Sequence, residues 1–127
     1  MDALLDAARA ARDNAHAPFS GFKVGAALED AEGRIHTGCN VENATYGLTL
    51  CAERVAVFKA LSEGARNFRR IAVVANTDRP TPPCGACRQI LWEFCGDIPM
   101  LLGNLKGASE TIQLADLFPR PFDASLL

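Results

Sequence analysis

The chain has 127 residues, 49% of them apolar and 22% charged, with a formal net charge of −2 and a pI near 5.6. That length holds about one ordinary domain with a real apolar core. The mild acidity and scattered Lys and Arg speak against nucleic acid or an anionic membrane as a partner, and no apolar run reaches the ~18 residues that would span a bilayer.

The first residues, Met1-Asp2-Ala3-Leu4-Leu5-Asp6, are acidic where a secretion signal needs basic charge, so the expected location is the cytoplasm. Leu4, Leu5, Ala8, Ala11 and Ala15 recur at helical spacing and predict an amphipathic helix over about 2–15. Pro18-Phe19-Ser20-Gly21 breaks it. Phe22 to Leu28 and Arg34 to Val41 read as strands joined by a tight turn at Glu32-Gly33. Glu42 to Leu48 has no regular period. Thr49 is a candidate N-cap for a helix from Leu50 to Glu63, closed by Gly64. Ile71 to Ala75 is the short apolar run of a buried strand. Asn76 to Pro83 reads as a loop. A helix follows from Cys84 to Cys95, with Pro82 and Pro83 at its entry and Gly96 at its exit. Met100 to Leu105 and Thr111 to Leu114 read as strands, with a short helical turn at Ala115 to Phe118. The expected fold class is α/β: a single domain over residues 1–127, built as one mixed sheet of about five strands sandwiched by helices.

Five cysteines are present, an odd number in a chain expected to carry no secretion signal. That favours thiolates used as metal ligands over a disulfide framework. Cys51 stands in Cys51-Ala52-Glu53-Arg54, and Cys84 and Cys87 stand in Pro83-Cys84-Gly85-Ala86-Cys87. Both clusters fall at predicted helix starts, where the positive end of the helix dipole favours the thiolate. Cys84 and Cys87 share the face of one first turn. Three cysteines hold one zinc and leave its fourth position open, and Glu53 is close enough to move protons without ligating. Three thiolates overcompensate a divalent ion. Arg54, and with it Arg88, is placed to offset the excess and to keep the metal electrophilic by hydrogen bonding to the sulfurs.

Two other readings compete. A structural zinc would need a fourth ligand, for which Cys39, Cys95, His16 and His36 are available. A redox pair could be read from Cys84-Gly85-Ala86-Cys87. The two prolines before Cys84 and the separate Cys-Ala-Glu point away from redox.

Beyond these residues, the chain resembles the small, homotetrameric cytidine deaminases. The resemblance is carried by Pro18-Phe19-Ser20-Gly21-Phe22-Lys23-Val24-Gly25-Ala26-Ala27-Leu28, by Thr37-Gly38-Cys39-Asn40-Val41-Glu42-Asn43, by Tyr46 through Arg54, and by Pro83 through Gln89. Deaminases of this kind pair a three-ligand zinc with a non-ligating Glu and a Pro-Cys-x-x-Cys signature. Cys-Ala-Glu in place of His-Ala-Glu resembles the free-nucleoside branch.

The resemblance implies one Zn²⁺ per subunit on Cys51, Cys84 and Cys87, with Glu53 as the catalytic acid and base. It implies hydrolytic deamination of cytidine and 2′-deoxycytidine in pyrimidine salvage. Asn40 and Glu42 are expected on the 3′-hydroxyl of the sugar, Phe22 against the pyrimidine, and the Ala52 backbone N–H on the base carbonyl. Tyr46 is expected to line the pocket. Phe122 is expected to cap the pocket of a neighbouring subunit in a homotetramer. Phe19 departs from the Pro-Tyr-Ser that such chains commonly carry, Thr45 stands where Ser is common, and Pro119-Arg120-Pro121 is unusual just before Phe122. A deaminase of aminonucleoside antibiotics and a non-catalytic zinc domain are the alternatives. Asn40-Val41-Glu42-Asn43, read as a ribose clamp, disfavours the first, and Glu53 with the missing fourth ligand disfavours the second.

Overall fold

The computed structural model describes residues 2–127. Helix α1, Ala3–Arg12, is capped by Asp2, whose side chain accepts from the Leu4 N–H at 2.8 Å. It stops short of the expected Ala15. Asp13, Asn14 and Ala15 donate three residues back rather than four, and the chain then turns so that the His16 N–H reaches the Asn40 carbonyl at 3.0 Å. Strands β1, Val24–Asp30, and β2, Ile35–Cys39, form the expected antiparallel hairpin. Asp30 closes its turn by accepting from the N–H groups of Glu32 and Arg34.

Helix α2 spans Ala52–Ser62, and strand β3 spans Phe68–Ala75. Strand β3 begins earlier than its apolar run, because Arg70 finds Glu29 at 3.1 Å on β1 and Asp2 at 2.7 Å. Helix α3, Gly85–Cys95, leads to β4, Pro99–Gly103, and β5, Ser109–Gln113, and a short α4, Leu114–Leu117, follows. The five strands form one sheet in the order β2-β1-β3-β4-β5, with β3 and β4 parallel and the other neighbours antiparallel. The expected single mixed sheet between helices is therefore the observed one.

Alternation along the strands divides the core in two. Ala27, Ala72, Val74 and Leu101 face α1 through Leu4, Leu5 and Ala8. Ala26, Leu28, Ile71, Val73, Met100 and Leu102 face the other way, onto Ala56, Val57 and Ala60 of α2 and Leu91 of α3. Two glycines permit the closest approaches. A Cβ on Gly38 would lie 2.6 Å from the Ala52 carbonyl oxygen and 2.5 Å from the Ala56 nitrogen, and one on Gly25 would lie 1.9 Å from the Ala8 oxygen. The first of these seats the start of α2 directly on β2.

Both α2 and α3 are crossover helices. Strand β2 is parallel to β3, since each is antiparallel to β1 between them, and β3 is parallel to β4. Right-handed crossovers that step in the same direction put both helices on one face. Each helix also follows the carboxyl end of its strand through a loop, at 40–51 and 76–84, so the two helix N-termini meet at one edge of the sheet.

Candidate active site

The meeting point of those N-termini holds the cysteines. Cys51 is the N-cap of α2 and Cys84 the N-cap of α3, and neither makes a side-chain capping hydrogen bond. Thr49, expected as the N-cap, is not. Leu50 instead exchanges two backbone hydrogen bonds with Val41, at 2.9 and 3.0 Å, which keeps the chain extended up to Cys51, while the Thr49 hydroxyl accepts from the Asn43 N–H.

The sulfurs of Cys51, Cys84 and Cys87 all lie within 4.8 Å of one another, with Cys51 and Cys84 at 4.0 Å. Zinc–sulfur bonds of about 2.3 Å in a tetrahedron separate the sulfurs by about 3.8 Å. The donor set therefore fits one zinc with small adjustments. Cys87 is buried and Cys84 is open to solvent, so one side of the group is accessible. Among the described residues no further His, Cys, Asp or Glu joins the group. His36 is engaged with Asp30 at 2.9 Å, and Cys39 and Cys95 lie elsewhere, so the four-ligand structural site has no fourth ligand here.

Electrostatics favour anionic sulfur. The Cys51 thiol is drawn down to about 5 by hydrogen bonding from Cys87, helped by the positive charge of Arg54. Cys87, as the donor, moves the opposite way. Arg54 donates from Nη2 to the Cys51 sulfur at 3.6 Å, whereas its buried Nε finds no acceptor. Arg88 does not share this task. Its Nε donates to the Pro83 carbonyl and its Nη1 to the Leu117 carbonyl, each at 2.8 Å, so it pins the cysteine loop to the C-terminal segment.

Glu53 lies one residue into α2 and is 5% exposed. Burial raises its carboxyl to about 7, far above the ordinary carboxylate range. It opens onto a cleft of about 240 Å³ whose walls include Phe22, Asn40, Ala52, Cys51 and Cys84. As an early α2 residue, Ala52 carries one of the N–H groups that have no partner within the helix.

The remaining predicted residues take separate places. Asn40 is buried and partly engaged, its Oδ1 accepting from the Val24 N–H at 2.8 Å and its Nδ2 donating to the Phe22 carbonyl at 2.7 Å. An amide has capacity for two more hydrogen bonds. Glu42 and Tyr46 line an adjoining hollow with Phe19, Ser20 and Thr49, and Thr49 is shared with the main cleft. Tyr46 meets Phe19 edge-on, centroids 6.3 Å apart. Phe122 lines no part of this chain's own cleft. It is 57% exposed beside α3, with its carbonyl accepting from Gln89 at 2.8 Å. Ser20 went unassigned in the sequence, yet it hydrogen-bonds Glu42 and the backbone of Phe22. Leu50, Val73, Thr81 and Pro82 complete the cleft walls.

A three-layer α/β domain with an accessible three-sulfur metal centre beside a buried carboxylate has the build of a zinc-dependent hydrolase. Residues 1–101 match the family described as cytidine and deoxycytidylate deaminase zinc-binding region. A cytidine deaminase of Sporosarcina psychrophila is 50% identical over 123 residues, 96% of this chain and 90% of that protein. One of Halalkalibacterium halodurans is 52% identical over 122 residues, 95% of this chain and 92% of its own. The crystal structure of a Burkholderia pseudomallei cytidine deaminase superposes with a TM-score of 0.91 at 50% identity, covering 94% of this chain and 97% of that one. The chain belongs to this zinc-binding deaminase family.

Proposed function

We propose that this chain catalyses the hydrolytic deamination of cytidine and 2′-deoxycytidine to uridine and 2′-deoxyuridine, releasing ammonia. The observation that carries the reading is Glu53, a buried carboxylate raised to about 7 beside three clustered cysteine sulfurs. Cys51, Cys84 and Cys87 would hold zinc, which when bound supplies the Lewis acidity that makes hydroxide available near neutral pH. Glu53 takes the proton of the attacking water and delivers it to ring N3. It then takes the proton of the new C4 hydroxyl and passes it to the amine, which leaves as ammonia while the C4 carbonyl forms, so Glu53 acts as acid after acting as base. Phe22 packs on the pyrimidine, the Ala52 N–H binds the base carbonyl, and Asn40 and Glu42 bind the 3′-hydroxyl. Arg54 balances the charge of the thiolates, and Tyr46 lines the sugar side of the pocket.

The setting proposed is pyrimidine salvage in the cytoplasm, by a single domain over residues 1–127 that assembles as a homotetramer. The solvent-facing position of Phe122 supports its role as a cap on a neighbour's pocket. No helix among the described residues is long and apolar enough to cross a membrane. Conversion of cytidine, followed by ultraviolet absorbance, tests the assignment: Glu53→Ala is expected to keep zinc and fold and to lose about 10²–10⁴-fold in kcat, the range that general acid–base catalysis supplies. A zinc-loaded Glu53→Ala protein at the native rate would overturn it.

A further inference from the structure

We infer that Ser20 is a positioning residue that aims Glu42 at the sugar and ties it to the base-packing Phe22. The inference rests on the reading of Glu42 as a sugar clamp.

Glu42 is held by three donors. Its Oε1 accepts from the backbone N–H of Phe19 at 2.9 Å and of Ser20 at 3.1 Å, and its Oε2 accepts from the Ser20 hydroxyl. These bonds, the Ser20 hydroxyl foremost, keep the carboxyl below its usual range and so ionised. A carboxylate offers about four acceptor positions. Three are filled from one side, which leaves one acceptor position on Oε2.

The direction of the Ser20 bond follows from its other partner. Ser20 Oγ accepts from the Phe22 N–H at 3.0 Å, so its own proton is free for Glu42. The result is a one-way chain from Phe22 N–H to Ser20 to Glu42. It joins the residue proposed to pack on the base to the residue proposed to hold the sugar. The chain between Ser20 and Phe22 turns at Gly21, φ +70°, which lets the Ser20 hydroxyl reach the Phe22 N–H. Phe22 is also held from its carbonyl by Asn40 Nδ2 at 2.7 Å, so its backbone is tied to Asn40 directly and to Glu42 through Ser20. Without the hydroxyl, Glu42 keeps its charge but loses the fixed direction of its last acceptor, and the Phe22 N–H loses its partner.

The test compares cytidine with 2′,3′-dideoxycytidine, which lacks the hydroxyl the clamp would bind. Zinc content and thermal unfolding are measured for every variant. Ser20→Ala is expected to raise KM for cytidine between about tenfold and a hundredfold, the range for one hydrogen bond to a charged group. Its kcat should stay within about twofold of native, and its KM for the dideoxy substrate, which still packs on Phe22, should rise clearly less than that for cytidine. Ser20→Thr, which keeps the hydroxyl, should restore most of the cytidine KM. Glu42→Ala separates the two ideas. If Glu42→Ala penalises both substrates equally, the clamp reading fails and the Ser20 inference with it. If Glu42→Ala penalises cytidine selectively while Ser20→Ala is silent, or penalises both substrates alike, the Ser20 inference alone is overturned.

Discussion

Replacing Gly38 by Ala separates the stability of this fold from the placement of its site. An added Cβ would sit 2.5 Å from the Ala56 nitrogen and 2.6 Å from the Ala52 carbonyl, against an ordinary contact beginning at 3.4 Å. Neither neighbour is a flexible side chain, so the helix must lift by about 0.9 Å to clear it. Overpacking of this kind costs about 1–3 kcal/mol, less roughly 0.5 kcal/mol for the stiffer unfolded chain. At this chain length that is a fall in Tm of about 2–10 °C. The catalytic effect should be larger than the stability effect. The lifted end of α2 carries Cys51, Ala52 and Glu53, while Cys84 and Cys87 stay with α3, and a misplacement near 1 Å can cost about 10² in rate. Gly25→Ala is the matched control. It clashes harder, at 1.9 Å from the Ala8 oxygen, but against α1 on the opposite face of the sheet. Calorimetry, zinc content and kcat on cytidine are measured for both. Gly38→Ala should lose activity and zinc affinity out of proportion to its Tm, and Gly25→Ala should lose Tm alone. Equal losses of activity at equal loss of Tm would refute the argument that Gly38 sets the register of the site.

Two further outcomes follow from the same geometry. Stripping zinc should destabilise the fold, because the metal would tie the starts of α2 and α3. With zinc at about a thousandfold its Kd the linkage is about 4 kcal/mol, or roughly 15 °C in Tm, and a chelated protein melting with the native one would contradict the tie. Asp30 controls a pH dependence away from the site. Hydrogen bonding from His36, together with the N–H groups of Arg34 and Glu32 and the Arg34 side chain, holds its carboxyl well below the usual range. A depressed folded pKa gives stability that is present above the unfolded value of about 3.9 and lost as pH falls below it. Urea unfolding between pH 6 and pH 3 should therefore fall more steeply for the native chain than for Asp30→Asn, and parallel curves would remove Asp30 from the account.

What was legible in the sequence was what local spacing encodes. The strand-like stretch of β1 and the short apolar run of β3 placed the sheet, and the Cys-x-x-Cys of α3 with the Cys-Ala-Glu of α2 placed the metal group. What escaped was set by partners far along the chain. Thr49 has the right chemistry for an N-cap, but the pairing of Leu50 with Val41 holds the strand open until Cys51. Arg88 is next to a cysteine in sequence, yet the carbonyls of Pro83 and Leu117 take its guanidinium. Strand β3 extends back to Phe68 because Arg70 meets acids on β1 and at the start of α1. Ser20 escaped because Glu42 lies 22 residues away.

The two cysteine N-caps show why this topology suits an open metal centre. A helix start leaves N–H groups without intrahelical partners and carries partial positive charge. Most helices satisfy it with Ser, Thr, Asp or Asn. Here a sulfur occupies the position twice, and neither sulfur caps its own helix. That leaves the thiolates free to face a common ion and the first N–H groups of α2 free to face a ligand. The arrangement needs both N-termini at one edge, which parallel β2, β3 and β4 with same-hand crossovers provide. It also needs the helices close enough to share the ion, which Gly38 permits on the α2 side and the buried Pro83 anchors on the α3 side. Glu53, the second residue of a helix whose first turn is pressed onto β2, then lines the cleft beside the shared centre.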